Sequence, residues 1–451
     1  MRKAIVLSFA ALVIFSGCST LSQKEAFDSM NQMTAPKGSG ELTWIQSVKE
    51  DEAVRNEVET LLKEPLTEEN AVRITLINNR ALQQTYERIG IAQSDLVQAG
   101  LMTNPLLGYS VGHGSGISKS GVTLELAFLD LLWIPLRHEL GGLALEETKL
   151  SVGDVVLQTV RDAKKRYIDA RVADESVRLN DDVLKSHEVS LQLATRQYTA
   201  GNLSKRNLLK IQDEYAHARL ESIRLNRESA IAREALNKLL GIYGEETNYI
   251  LSKELFTLGK ELIERGSLER IAIADRLDLA AAQKRVEYAA KEAGYTENTR
   301  LLDSVNVEFG SEKSTGESRM NTIGVKIPIP IFDMGQGRLS RAQSLYNQSV
   351  QQLFETAVNI RSEVRETYAI MRYNYDMARE YQDSIEIINH DVLEQTQLYY
   401  NGMLDGIYEL LSDQRRYRDA KMESIKAVGE YRKAQADLTY ILGGENNAAQ
   451  R

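Results

Sequence analysis

Cysteine, proline, histidine and long apolar runs are all scarce in this sequence, and each shortage removes a class of protein. One Cys in 451 residues excludes a disulfide framework. Six Pro and 29 Gly, among abundant Ala, Leu, Glu, Gln, Arg and Lys, leave few interruptions and favour long helices. The five histidines, His113, His138, His187, His217 and His390, are scattered without ligand spacing, so no metal site and no cofactor are expected. A formal net charge of −9 offers no basic stripe for phosphates, which argues against nucleic acid as a partner. Beyond the first residues nothing approaches about 20 consecutive apolar positions, so no helix is expected to span a bilayer. No nucleophile–base constellation stands out either, and the chain is not expected to be an enzyme.

The lone cysteine is informative through its setting. Met1-Arg2-Lys3 is a basic start, Ala4 to Phe15 a short apolar run, and Ser16-Gly17-Cys18 a small-residue cleavage zone. The pattern resembles a bacterial lipoprotein signal over residues 1–17, with Phe15 where Leu is usual. It implies that Cys18 is acylated, and Ser19 after it implies sorting to the outer membrane. A plain secretory signal with a coincidental Cys18 is the other reading. Residues 18–65 are polar and aperiodic, and are expected to form an extended leader.

After the leader the chain is written twice, over 66–241 and 267–443, with a linker over 242–266 and a tail over 444–451. Tyr167 and Arg171 recur as Tyr368 and Arg372, Gly201 recurs as Gly402, and Leu236 to Gly241 recurs as Leu438 to Gly443. Val156, Ala163, Ala170, Val177, Leu184, Leu191 and Tyr198 fall seven residues apart. Ala357, Val364, Met371, Ala378, Ile385, Val392 and Tyr399 repeat that spacing. A sustained seven-residue seam predicts supercoiled helices, each on the order of 75 Å long. Each should end in a left-handed cap at Gly201 or Gly402, before a return helix over about 205–240 or 407–442. Helical hairpins are therefore expected over 137–241 and 338–443. A cytosolic coiled-coil scaffold would share these helices.

Four short stretches of period two decide against that scaffold. Apolar and small or polar residues alternate over about 106–113, 121–130, 303–310 and 321–331, with a Gly/Ser loop at Gly114 to Gly121. That loop lacks phosphate-loop spacing. A soluble four-stranded sheet would leave two unpaired edges and an uncovered apolar face. In a membrane the pattern is coherent: apolar residues meet lipid, while Glu125, Asn306, Glu308 and Lys326 face a watery lumen. A lipid-exposed sheet must close, and four strands are too few to enclose a channel, so several chains are expected to share one barrel.

The lipoprotein signal, the duplicated strand and helix hairpins, and the step Ile327-Pro-Ile-Pro-Ile-Phe-Asp-Met-Gly-Gln-Gly337 together resemble the TolC-like outer-membrane efflux proteins. The step from Leu129 to Pro135 is a more divergent counterpart, and Asn79 to Leu82 and Arg276 to Leu279 are similar to the family's repeat starts. The resemblance covers about residues 60–443. It implies a mostly α fold with a membrane β-barrel portion, in which a homotrimer builds a twelve-stranded barrel on a twelve-helix periplasmic tunnel. It implies outer-membrane lipid, a periplasmic adaptor and an inner-membrane pump as partners, and passive export as the function. Stretches such as Pro65 to Val72 and Ile89 to Ala99 look most like members linked to heavy-metal export.

By the same resemblance the helical turns form the periplasmic tip and gate, with Gly201, Asn207, Tyr399, Gly402 and Leu404 as its residues. The family's Arg–Asp lock is missing, because Leu404 and Asn207 stand in its places. Asp405, Glu409 and Asp413 are candidates for an acidic pore ring that would favour cations; ordinary solvated helix-end charge is the bland reading. The rival functions are a periplasmic adaptor and a coiled-coil lipoprotein scaffold or hydrolase. An adaptor carries one helical hairpin, whereas this chain has two.

Overall fold

The structure, a computed structural model, describes residues 23–114, 116–254, 256, 258, 267–301 and 304–445. Cys18 with its signal, most of the linker after Glu254 and the tail from 446 lie outside them. In order come α1 (Gln23–Thr34), α2 (Val48–Leu62), α3 (Glu68–Asn78), α4 (Arg80–Ala99), β1 (Leu106–Gly114), β2 (Ile117–Ala127), α5 (Phe128–Thr199) and α6 (Lys205–Leu240). Then follow α7 (Leu268–Asp275), α8 (Leu277–Thr299), β3 (Asn306–Ser314), β4 (Met320–Lys326), α9 (Gln336–Glu380), a π-helical turn (Tyr381–Ile385), α10 (Glu386–Asn401) and α11 (Ile407–Ile441). Each copy is thus two helices, a β-hairpin and a helical hairpin. The chain is mostly helical with one small antiparallel sheet.

Several boundaries differ from expectation for identifiable reasons. The leader is helical at α1 and α2 rather than extended. Ser47 caps α2: its hydroxyl accepts from Glu50 N at 3.3 Å, and the Glu50 carboxylate accepts from Gln46 N, one residue before the cap, at 2.8 Å. The Gly/Ser stretch after Gly114 continues the ladder, because β2 begins at Ile117 and pairs Ser118 with His113 and Gly121 with Ser110. In the second copy the strands shift inward to 306–314 and 320–326. Beyond Lys326, Pro328 and Pro330 have no N–H for a ladder. Finally, α5 starts at Phe128 and carries Pro135 inside it, so that proline does not end the strand.

One unit of the chain gathers the described residues up to Asn31 with Thr85–Asp154 and Leu277–Val358, and contains the sheet. Its strand order is β1-β2-β3-β4, antiparallel throughout, so the first copy meets the second across β2 and β3. The step into each long helix is tied locally. Phe128 N donates to Val305 O at 2.9 Å, and Thr103 N donates to Asp130 Oδ2 at 3.1 Å. In the second copy Asp333 accepts from Gly335 N at 2.7 Å. Gly335 sits at φ +70°, where an added Cβ would lie 2.5 Å from Arg300 Cβ.

The other unit, Gln32–Gln84, Val155–Arg276 and the described part of Asn359–Arg451, has a continuous apolar core. Val54, Val58, Leu66, Ile74, Ile77, Tyr167, Ala170, Leu236 and Leu240 pack there. Polar groups are bonded into that core. Tyr167 donates its hydroxyl to Leu66 O at 3.1 Å, and Asn78 Nδ2 and Asn79 Nδ2 donate to Leu240 O and Leu239 O at the end of α6. Arg171 and Glu175, both nearly buried, are paired at 3.1 Å, and Arg171 also donates to Lys253 O.

The π-helical turn accounts for a mismatch between the copies. Before it they correspond at an offset of 201: Ala163 and Ala170 are buried, as are Val364 and Met371. After it the offset is 202: buried Ala194 corresponds to buried Thr396, and partly buried Leu191 to partly buried Leu393. One widened turn absorbs one extra residue, so both ends of the helix keep their inward face. The expected seam residue Val392 is consequently exposed; Tyr399 is exposed as well, as is Tyr198, the last expected seam position of the first copy.

Candidate functional site

Two places matter, the two-faced sheet and the ends of the helical hairpins. On the sheet, period-two geometry sorts most side chains, with Leu106, Ile117 and Met320 at strand ends as apolar exceptions on the polar face. Leu107, Tyr109, Val111, Val122, Leu124, Phe309, Ile323 and Val325 share one face and are exposed on it. The opposite face carries Gly, Ser and Thr together with all four residues expected to line a lumen. Glu125 pairs with Glu308 across β2 and β3, and Asn306 pairs with Lys326 across β3 and β4. Asn306 Nδ2 donates to Glu125 Oε1 at 2.7 Å. Lys326 Nζ reaches Glu125 Oε2 at 3.1 Å and Glu308 Oε2 at 2.8 Å. Further along the same face Lys119 and Glu312 stand 3.4 Å apart. The four predicted residues therefore form one bonded cluster drawn from three strands.

At the first hairpin end, Gly201 is left-handed at φ +76°, and Asn202 N donates to Gln197 O at 2.9 Å. The second end departs from expectation. Gly402 has φ −79° and ψ 2°, while Met403 takes the left-handed position at φ +58° and Leu404 N donates to Tyr399 O at 2.9 Å. The extra residue of the π turn explains this, because offset 202 puts Met403, not Gly402, opposite Gly201.

The remaining tip residues are placed as follows. Asn207 lies in the first turn of α6, where its N–H donates to the Ser204 cap at 3.3 Å, and its side chain is exposed. Leu404 is 75 % exposed, so neither position carries a charged lock. Of the three acids, Asp413 is engaged within the chain: Thr396 Oγ1 donates to it at 2.7 Å, and Arg416 lies 3.5 Å away. Glu409 is exposed in the first turn of α11 and Asp405 is half-buried just before it. A pair that sequence reasoning missed joins the two copies here, with Arg415 of α11 2.8 Å from Glu214 of α6. The apolar cluster of Ala194, Leu208, Ile211 and Leu411 makes the same connection.

Just behind this end lies His187 of α5, almost fully buried. Burial depresses its pKa; Glu214 opposes that effect, whereas Arg418 and Arg415 of α11 add to it. His390, expected from the sequence to stand without ligand spacing, has two carboxylates beside it on its own helix. His390, Asp391 and Glu394 of α10 bring three ligand atoms within 4.8 Å of one another. Among the described residues no helix is long and apolar enough to cross a membrane.

Comparison with known proteins fits this geometry. Residues 268–444 match the sequence profile of the outer membrane efflux protein family. The chain is similar to the cobalt-zinc-cadmium resistance protein CzcC of Cupriavidus metallidurans, with 26 % identity over 62 % of this chain and 66 % of that one. It is also similar to the probable outer membrane lipoprotein SilC of Salmonella typhimurium, 23 % identical over 98 % and 99 % of the two chains. Among solved structures, CusC, described in terms of transmembrane channel formation, superposes with a TM-score of 0.69 at 18 % identity, covering 86 % of this chain and 92 % of that one.

Proposed function

We propose that this chain is a TolC-like outer membrane efflux protein and serves as the passive outer-membrane channel subunit of a tripartite export system. The observation that carries this is the sheet with one exposed apolar face and one bonded polar face. Strands of 9, 11, 9 and 7 residues are close to the length needed to cross a bilayer when tilted. β1 and β4 are edge strands, and in hydrocarbon their outer N–H and C=O groups need partners. Three copies joined β4 to β1 close the sheet as a twelve-stranded homotrimeric barrel, with Glu125, Asn306, Glu308 and Lys326 toward the water. The helical hairpins then form the periplasmic tunnel, and a periplasmic adaptor and an inner-membrane pump engage it. Energy comes from the pump; the channel breaks no bond and is not an enzyme.

The tip at Gly201, Asn207, Tyr399, Met403 and Leu404 is the gate in this reading. Asp405 and Glu409 supply its acidic ring, while Asp413 holds α10 to α11. Cys18 is the lipid anchor at the outer membrane. The cargo is a heavy-metal cation, supported by the metal-resistance relative CzcC and by stretches of the sequence.

Purification of the mature chain tests the assembly. A heat-resistant trimer in detergent, with a label introduced at Gly116, in the turn between β1 and β2, reactive at the cell surface, is the expected result. A monomer that stays in solution without detergent or lipid would overturn it. For the cargo, a deletion strain should lose tolerance to at least one of copper, zinc, cobalt or silver; unchanged tolerance to all four removes the metal reading.

A further inference from the structure

We propose that His390, Asp391 and Glu394 form a binding site for a divalent first-row cation of the zinc and cobalt class on α10. The inference rests on the metal-export reading and adds a station along the cargo's path. Positions 390 and 394 are one helical turn apart, and 391 and 394 are three residues apart, so all three side chains project from one side of the helix. Their nearest ligand atoms lie within 4.8 Å of one another, and among the described residues this is the one such group of three. An ion with bonds of about 2.0–2.2 Å can take all three after small rotamer changes.

The donor set selects the ion. One imidazole nitrogen with two carboxylate oxygens suits zinc or cobalt, whereas calcium and magnesium prefer oxygen alone and monovalent copper prefers sulfur. The imidazole is already positioned. Its ring meets Tyr417 of α11 edge to face, with centroids 5.4 Å apart, and its Nδ1 is 3.6 Å from Asp391 Oδ1. All three side chains are exposed, so an ion arrives and leaves without the helix opening. That is the behaviour a transit site needs, rather than a structural one. The first copy has no equivalent: offset 202 places Glu188, Val189 and Gln192 there. The site therefore belongs to the second copy and not to the architecture in general.

Titrating Co²⁺ into the mature chain in detergent, followed by visible absorption and calorimetry, tests the site. One cobalt per chain is expected, with affinity reduced about tenfold or more in His390→Ala and in the isosteric Glu394→Gln. His217→Ala serves as the control, since His217 has a single carboxylate, Asp213, at 3.8 Å, and should bind as the parent does. Absent binding, or binding unchanged in both substitutions, overturns the proposal. Conductance of the same preparation in lipid bilayers without metal tests the channel reading separately. Channels that bind no cobalt remove only this site; cobalt bound at His390 by a chain that forms no channel overturns its role in export.

Discussion

Glu125 and Glu308 face each other directly across the β2–β3 ladder, two carboxylates side by side where like charges would repel. Lys326 from β4 contacts both, so three charges leave a net −1 on this face in each chain. Replacing Lys326 by Gln removes the cation from both carboxylates and leaves Glu125 bonded only to Asn306 within this cluster. Reversal potentials in a salt gradient should then move toward greater cation preference, by a factor of about two or more in the permeability ratio. An unchanged ratio would mean that the polar face does not line the conducting path.

The second hairpin end carries backbone strain at a residue that is not glycine. Met403 holds φ +58° while its side chain is 94 % exposed, so little packing offsets the left-handed conformation. Met403→Gly should stabilise the second hairpin by about 1 kcal/mol. Reduced proteolysis between residues 399 and 407 is the corresponding readout.

Because the π turn stores one extra residue, a deletion there should be better tolerated than one elsewhere in the helix. Removing Gln382 lets Tyr381–Ile385 close into regular α-helix and leaves both flanking faces in phase. Removing Asn389 instead turns everything beyond it by about 100° and carries Leu393 and Thr396 out of the interface. The first variant should retain the parental thermal midpoint and the second should lower it, as unfolding followed by helical circular dichroism would show.

Much of this fold could be read from the sequence wherever a period was long enough. Strands were found by alternation, and the return helices were placed to within a residue; in the structure Ser204, Gly241 and Gly406 mark their ends. The repeat offsets already bracketed the insertion, since Tyr167 recurs at 201 and Leu236 at 202. What they could not locate was the turn that absorbs it, so Tyr399 and Gly402 were each placed one residue out of phase. Register is also invisible in a single sequence. Glu125 and Lys326 could be assigned to the same face, but not to the same bond. The leader helices were missed although Ser47-Val-Lys-Glu50 is a legible helix-start signature.

The two copies provide an internal control for the buried ion pair. Arg171 is held between Glu175 and Lys253 O in the core, whereas its repeat counterpart Arg372 is exposed. Glu175→Ala leaves the buried guanidinium without its carboxylate and should destabilise by about 3 kcal/mol. Arg372→Ala should cost less than about 0.5 kcal/mol. Denaturant unfolding followed by helical circular dichroism compares them, and equal costs would refute the asymmetry.

His187 should make the helical end sensitive to acid. Its pKa in the fold lies below the ordinary histidine value, chiefly because it is buried and secondarily because Arg418 and Arg415 oppose a positive charge; Glu214 favours that charge only in part. As pH falls through the unfolded value of about 6.5, the unfolded chain takes up a proton that the folded one resists. Stability conferred by the neutral ring is therefore complete above that pH and declines below it, until the folded histidine also protonates. Thermal midpoints should fall between pH 7.5 and 5.5 in the parent. In His187→Gln, which keeps a polar side chain of similar reach without a titrating ring, that part of the decline should vanish. Carboxylates elsewhere titrate in both proteins, so the difference between the two curves isolates His187. Parallel curves would show that its proton plays no part.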